Sequence, residues 1–438
     1  MEKVKQFIEK NCLFAENEKV VVAVSGGPDS LCLLHMLCKR LPELNLEIIV
    51  AHLNHCLRPE AVSEAARVEK ISARWGLPCE TRAVDIRKLK KERKISEEEA
   101  GRLARYSFAA EIAGKYGANC IALGHHLDDQ AETVLLNVIR GAGVDGLAGI
   151  LPRRARGGLR LVRPLLCLTR REIEAYCEAN NLRPSTDSSN LETNYTRNKL
   201  RLELIPQIER QYNPRFREAL TGLASLARAD RSFLQALARR KYLEITSFGP
   251  RNTVINLNHF TALPQALQGR VLRLVLRRYG VEGQFGRKHV EQLQELIRRG
   301  ITGKMQTLPG KINTFCYNKR LIFARAEWFK QSKLKPTPLI IPGRTILPDK
   351  TVILARILDQ EELSWPPSKN QAYIDYESVC FERLVVRRRW QGARFHPQGA
   401  SGSKKLKDFL IDQKIPSHRR DSLPLITAGV GSGLNGLL

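Results

Sequence analysis

The chain has 438 residues, 43% of them hydrophobic, and 72 Lys and Arg against 45 Asp and Glu leave a formal net charge of +27. That length predicts two or three domains with sizeable cores, and the ordinary globular composition excludes a disordered basic tail. So large a positive excess on a folded chain points to a polyanionic partner, nucleic acid first.

The opening residues, MEKVKQFIEKN, are charged and helical in pattern and lack the apolar core of a signal peptide. No apolar run approaches the ~20 residues that a membrane span needs. A cytoplasmic protein without a membrane partner is therefore expected. The ten cysteines (Cys12, Cys32, Cys38, Cys56, Cys79, Cys120, Cys167, Cys177, Cys316 and Cys380) form no CxxC pair, the pattern of reduced core thiols.

Val20–Ser30 reads VVVAVSGGPDS. The valine-rich run predicts a strand buried on both faces, and Leu31–Leu37 predicts a buried helix. Between them, Ser25, Gly26, Gly27, Pro28, Asp29 and Ser30 supply positive-φ freedom and helix-start residues. A strand, a glycine turn and a helix N-terminus together make an anion site. The loop lacks the lysine of a Walker sequence, and it is not GxGxxG.

Further strands are predicted over Glu47–Leu53, Cys79–Asp85 and Cys120–His125, with helices over Val62–Trp75 and Ser96–Tyr116. This alternation predicts an α/β, doubly wound parallel sheet, in which ligands sit beyond the carboxyl ends of the strands. His52, Asn54, His55 and Arg58 follow the second strand with no acidic or cysteine partner to complete a metal set, so they are expected to line a nucleotide pocket. Arg102 and Arg105 share a helix face and suit transferring phosphates.

Gly124–Thr133 (GHHLDDQAET) crowds His125, His126, Asp128, Asp129 and Glu132 into one strand end and helix start. Asp129 and Glu132 are three apart, an acidic face for Mg²⁺ or a cationic amine. Pro152–Arg163 holds five arginines and no acid, including Arg153, Arg154 and Arg156. It predicts a flexible loop for phosphate backbones. Pro206 marks a domain boundary.

Taken together and in order, SGGxDS, HxNHxLR, the arginine pair before Tyr106, GHHxxDQAET, RPLL, DxSN (Asp187–Asn190) and RNxxR (Arg197–Arg201) resemble the tRNA(Ile)-lysidine synthase family of PP-loop ATP pyrophosphatases. Gly101, where the family usually has Ala, is a small departure. The resemblance covers most of residues 18–206 and implies ATP-dependent joining of free L-lysine to C2 of the wobble cytidine of tRNA(Ile) with a CAU anticodon. It further implies that Ser25–Ser30, His52, Gly124 and His125 hold ATP, with Mg²⁺ near Asp29. Arg105 would stabilise the leaving pyrophosphate. Asp129 or Glu132 would seat the lysine ammonium, and Arg197 would hold a phosphate or the lysine carboxylate. Arg153, Arg154, Arg156 and Arg201 are expected to touch tRNA. A homodimer is known among related enzymes, and the sequence leaves oligomeric state open.

Residues 207–335 read as mainly helical, from the spacing of Leu220, Leu223, Ala224, Ala227 and Leu234 and the runs Leu263–Arg278 and Lys288–Arg299. Short strands are predicted over Leu321–Ala324, Leu339–Ile341 and Val352–Ala355. Residues 336–438 form a basic C-terminal part in which Arg383–Arg420 holds eleven Lys or Arg against two Asp. Arg387, Arg388, Arg389, Lys404, Lys405 and Lys407 are its expected tRNA contacts, interleaved with aromatics that stack on bases. Ala393 stands where the family has an aspartate. After Ile426 the chain reads TAGVGSGLNGLL, without the closing strands the resemblance implies, so this part is expected to be incomplete. A tRNA thiolase is disfavoured by the lack of CxxC. An inert RNA-binding relative is disfavoured by Asp29, Arg105, Asp129 and Glu132.

Overall fold

The computed structural model describes residues 1–55, 61–185, 196–281, 285–299, 305–329, 335–363, 368, 371–377, 383–397, 402–413, 415 and 420–428. Arg58, Asp187–Asn190 and the closing 429–438 stretch lie outside them. The chain divides into two compact units, Met1–Phe233 and Leu234–Leu438.

The first unit begins with α1 (Glu2–Lys10), β1 (Lys19–Ala23), α2 (Pro28–His35), β2 (Glu47–Asn54), α3 (Ala61–Arg74) and β3 (Cys79–Ala83). It continues through α4 (Ile86–Arg93), α5 (Glu97–Tyr116), β4 (Cys120–Ala122), α6 (Leu127–Ile139), α7 (Val144–Leu147), β5 (Arg153–Arg156) and β6 (Leu159–Val162). Then come α8 (Arg170–Ala179), α9 (Thr196–Lys199), α10 (Ile205–Gln211) and α11 (Phe216–Ile245), within which the division falls.

The sheet order is β3-β2-β1-β4-β6-β5, parallel except for β5. Val20 pairs with Ile48 on one side and Cys120 on the other, so β1 is central. Its alternate residues feed two cores: Val20, Val22 and Val24 pack with Leu31, Leu34 and Ile173, while Val21 packs with Phe108 and Ile112. This doubly wound arrangement is why the valine run is apolar at every position. Strand order reverses between β1 and β4, and the crevice beyond their carboxyl ends is where such sheets bind ligands.

Two strands end earlier than their apolar runs. Asp85 leaves β3 and caps α4 by accepting the Lys88 N–H at 3.0 Å, and after Ala122 the chain turns toward α6. The arginine-rich stretch is a β-hairpin, not a loop. Gly157 and Gly158, at φ +58° and +84°, make its two-residue turn, and all four β5 residues are exposed. Arginines rather than apolar residues on its outward face hid the strand pattern.

The second unit adds to the expected helices a five-stranded sheet. β7 (Thr246–Phe248) and β8 (Asn252–Asn256) precede α12 (Leu257–Thr261), α13 (Gln265–Arg278) and α14 (Arg287–Arg299); β9 (Met305–Leu308), β10 (Ile312–Tyr317) and β11 (Arg320–Arg325) follow. The order is β7-β8-β11-β10-β9, all antiparallel. Val271, Leu272, Val275 and Leu293 of the helices bury against Ile255, Ile312, Leu321 and Phe323 of the sheet.

Beyond it, β12 (Thr337–Pro338), β15 (Leu384–Arg387) and β18 (Leu425–Ala428) form one small sheet. β13 (Gly343–Ile346) with β14 (Val352–Ala355), and β16 (Arg394–Phe395) with β17 (Lys404–Lys405), form two others. Leu339–Ile341 is not a strand; pairing falls on Thr337–Pro338 instead. Ala393 is buried with Phe395, Leu406 and Leu410, a setting in which the family's aspartate would need a partner.

Candidate active site

The loop after β1 is stitched by its own serines. The Ser30 hydroxyl accepts the Ser25 N–H at 3.1 Å and donates to the Gly27 carbonyl at 3.0 Å. Gly26 sits at φ +89°, and its carbonyl accepts the Ser185 N–H at 2.9 Å. Pro28 occupies the first turn of α2, where a missing N–H costs nothing. The first-turn N–H groups of Asp29 and Ser30 have no intrahelical partner.

Gly124, after β4, comes against this helix start. A Cβ there would lie 3.1 Å from the Asp29 carbonyl carbon and oxygen and 3.2 Å from the Ser30 nitrogen. Gly124 thus has a backbone-packing reason to be glycine that spacing alone did not show.

Asp29 points from the loop toward α8. Its Oδ2 accepts from the Arg170 guanidinium at 2.7 Å, while Oδ1 is buried without a hydrogen-bond partner and lies 3.8 Å from His126 Nε2. Burial raises its pKa above the usual carboxylate value, and Asp129 adds to the rise; His126 and Arg170 oppose it.

The start of α6 is a dense charge cluster. Asp129 Oδ2 caps the helix by accepting the His126 N–H at 3.1 Å. Burial would raise the Asp129 pKa, but His126, Arg197 and His125 together bring it down to about 2. His126 is buried, which disfavours its charge, yet Asp128, Asp129 and Asp29 together raise its pKa. Its ring nitrogens lie 3.5 Å from Asp128 and Asp129, ion-pair contacts rather than short hydrogen bonds.

Glu132 is 1% exposed and is clamped by two arginines, Arg197 Nε at 2.8 Å and Arg201 Nε at 2.6 Å. Both guanidinium groups also reach Asp129 Oδ1, at 3.2 and 3.4 Å. Arg201 therefore sits in the same ion network as Arg197, and is engaged by acids rather than free on a surface.

Arg105 is partly exposed and has no hydrogen-bond or ion-pair partner among the described residues. Burial lowers its pKa, opposed first by Tyr106 and then by Asp129. His125 has a buried, unpartnered Nδ1 and is driven down to about 3, so it is neutral. His52 is also buried and lowered. Its Nδ1 lies 2.9 Å from the Val24 carbonyl, which can only accept, so Nδ1 carries the proton and the unpartnered Nε2 is a bare acceptor.

The structure thus brings Asp29, Asp129, Glu132, Arg197, Arg201, Gly124 and His126 together at the switch point. The hairpin arginines lie along the sheet edge: Arg153 donates to the Cys12 carbonyl at 3.1 Å, and Arg156 lies 4.8 Å above the Tyr106 ring. In the second unit, Arg388 pairs with Asp349 at 2.8 Å and Arg389 with Asp421, while Arg387 stacks 4.0 Å over Trp390. Lys404 pairs with Asp412, and Lys405 and Lys407 are exposed.

Sequence reasoning missed Arg170 and the anchoring role of Asp128. Asp128 accepts the Arg170 N–H at 2.8 Å and pairs with Arg217 at 2.9 Å, which ties α6 to α8 and α11. No local signal marks Arg170, because its partner lies 141 residues away; the only nearby pattern is the i,i+4 pair with Glu174.

A parallel sheet with a serine-glycine anion loop at its switch point, faced by a carboxylate and free arginine, defines a PP-loop ATP-binding domain. The family model for the PP-loop domain matches residues 1–208. Models described as the TilS substrate binding domain and the TilS substrate C-terminal domain match residues 256–322 and 384–430.

Three tRNA(Ile)-lysidine synthases match along nearly their whole length. The one from Clostridium acetobutylicum is 34% identical over 96% of this chain and 91% of its own. The one from Clostridioides difficile is 35% identical over 98% and 93%, and that from Geobacillus kaustophilus 34% over 97% and 92%. The chain belongs to the tRNA(Ile)-lysidine synthase family.

Proposed function

We propose that this protein is a ligase that joins lysine to C2 of the wobble cytidine, position 34, of tRNA(Ile) with a CAU anticodon, so that the tRNA reads AUA as isoleucine. ATP is consumed to AMP and pyrophosphate. The observation that carries this reading is the junction of two unlike half-sites at one switch point: an anion loop with Asp29 and an acidic face of Asp129 and Glu132.

In the first step the cytidine C2 oxygen attacks the α-phosphorus and pyrophosphate leaves. The free N–H groups at the start of α2 and the unpartnered Arg105 suit the negative charge that develops there. The buried, unpartnered Asp29 Oδ1 would hold Mg²⁺ as a single carboxylate ligand. When bound, Mg²⁺ neutralises phosphate charge.

In the second step the lysine ε-amine attacks C2 and AMP departs with the oxygen. Free lysine, with a pKa near 10.4, is almost wholly protonated at neutral pH. Asp129, held at about 2, remains a carboxylate that seats the ammonium, and the proton that the amine sheds before it attacks passes to Glu132 or to water. Arg197 and Arg201 fill that acidic face in this structure, so seating lysine exchanges arginine contacts for ammonium contacts. His52 and His125 complete the nucleotide side as neutral groups.

The work divides over three parts, 1–206 catalytic and 207–335 and 336–438 for tRNA, with Arg153, Arg154, Arg156, Lys405 and Lys407 among the cations available to RNA. No described helix is long and apolar enough to cross a membrane, and cytoplasmic action on tRNA, as a homodimer, completes the reading. A single species of monomer mass in sedimentation would remove the dimer from it.

The decisive test is incubation with ATP, radiolabelled lysine and tRNA(Ile) bearing CAU. Label in the RNA is expected. A folded protein that binds this tRNA yet transfers no label refutes the ligase reading.

A further inference from the structure

The second unit holds a cavity of about 400 Å³ lined by Arg251, Asn252, Arg278, Tyr279, Arg325 and Glu327. Three arginines converge on it from separate elements: the turn before β8, the end of α13 and the end of β11. None of the three forms an ion pair among the described residues, and Glu327 is the pocket's one carboxylate. Three guanidinium groups against the one carboxylate among the described lining leave the gap net positive, so the arrangement favours an anion there.

Two of the guanidinium groups are held in place without being neutralised. Arg278 donates to the Gly249 carbonyl at 3.1 Å and lies 4.9 Å over the Phe248 ring. Arg325 donates to the Tyr279 carbonyl at 3.3 Å. Each leaves most of its N–H groups free, and a fixed guanidinium fork matches phosphate oxygens. Tyr279 is itself fixed, its hydroxyl donating to the Phe323 carbonyl at 2.8 Å. Arg251 is exposed and makes no hydrogen bond or ion pair among the described residues, so it is the third arm left to close on a ligand.

We propose that this pocket is a phosphodiester seat for the tRNA body, with Arg278 and Arg325 as the fixed forks and Arg251 as the closing contact. The proposal rests on the tRNA reading above and deepens it, by giving the second unit one defined backbone grip. The same chemistry would accept a free nucleotide monophosphate, and the test separates the two.

The variants are Arg251→Gln and Glu327→Gln in the full chain, compared with the unchanged protein in tRNA binding across a salt series. Arg251→Gln is expected to weaken tRNA binding about tenfold, the scale of one charge-assisted contact. The slope of log K against log salt should fall by about 0.9, one phosphate's share. Glu327→Gln, which removes the opposing charge, should tighten tRNA two- to threefold, on the order expected for a surface charge.

Unchanged tRNA affinity and slope in Arg251→Gln overturn the proposal. So does Arg251-dependent binding of AMP or inorganic phosphate, by calorimetry, in a protein whose tRNA affinity the variant leaves alone. Failure of the unchanged protein to label tRNA would refute the ligase reading separately, because the pocket is read from binding and salt slope.

Discussion

Replacing Arg170 by Met tests the contact that holds the loop carboxylate. The substitution keeps an unbranched apolar stem and removes the 2.7 Å charge-assisted bond to Asp29 Oδ2. Bonds to charged groups contribute about 1.5–3 kcal/mol. The Arg170 side chain is 37% exposed and that of Asp29 26%, so solvent screening puts the effect near the lower end, about 1.5 kcal/mol. That corresponds to about one pKa unit on Asp29.

The sign follows from the direction of the existing shift. Burial already raises the folded Asp29 pKa, so the folded state binds the proton more tightly and ionised Asp29 costs stability above its unfolded value. Losing Arg170 enlarges that cost. The variant should therefore be less stable at neutral pH, and the deficit should vanish as pH falls through the folded Asp29 pKa. The acid limb of AMP formation should move up by about one unit, in keeping with the ionised carboxylate being the working form. Thermal unfolding from pH 4 to 8 and a pH–rate profile measure both effects. Superimposable rate profiles and a pH-independent stability difference would refute the coupling of Arg170 to Asp29.

Arg105→Ala should leave urea stability within about 0.5 kcal/mol, because no ion pair is broken, yet lower AMP formation about 10²–10³-fold; a large stability loss with normal turnover reverses its assignment. Glu132→Gln leaves two arginines with only Asp129 and, for Arg197, the exposed Glu98 at 3.9 Å, and should cost about 3 kcal/mol in urea unfolding; an unchanged midpoint would show the network to be solvated. Gly124→Ala should cost about 1–3 kcal/mol and raise the KM for ATP, since the new methyl meets backbone rather than a movable side chain; normal ATP kinetics would mean that the loop gives way freely. His126 has a raised folded pKa, so its ion pairs stabilise fully below about pH 6.5 and are lost as pH rises through the folded value. The stability deficit of His126→Gln should accordingly be larger at pH 6 than at pH 9, and an equal deficit at both would place the imidazole neutral.

Much of the catalytic unit was legible from local pattern. A strand buried on two faces shows a valine at nearly every position, and a glycine pair followed by Pro-Asp-Ser marks a helix start, because both signals are made by near neighbours in the chain. The i,i+3 spacing of Asp129 and Glu132 likewise placed both acids on one helix face, as their shared arginines show. The hairpin at Arg153–Val162 was not legible, and of the sheet formed by β7 to β11 only β11 was, as the predicted strand Leu321–Ala324. Their strands are short, and pairing across up to 72 residues, Asn252 with Ala324, supplies what their own sequences do not.

The sequence by itself determined the chemistry available at each strand end: an anion loop at Ser25–Ser30, an acid face at Asp129 and Glu132, and cations in excess. Tertiary structure decided which charges are free and which are spent. Arg197 and Arg201 are bound to Glu132 and Asp129, Arg170 reaches across from α8 to Asp29, and Arg105 alone among these stands without an acid. Pairing depends on distance through space and on burial, which set the strength of a charge, and neither is written in the order of residues along the chain.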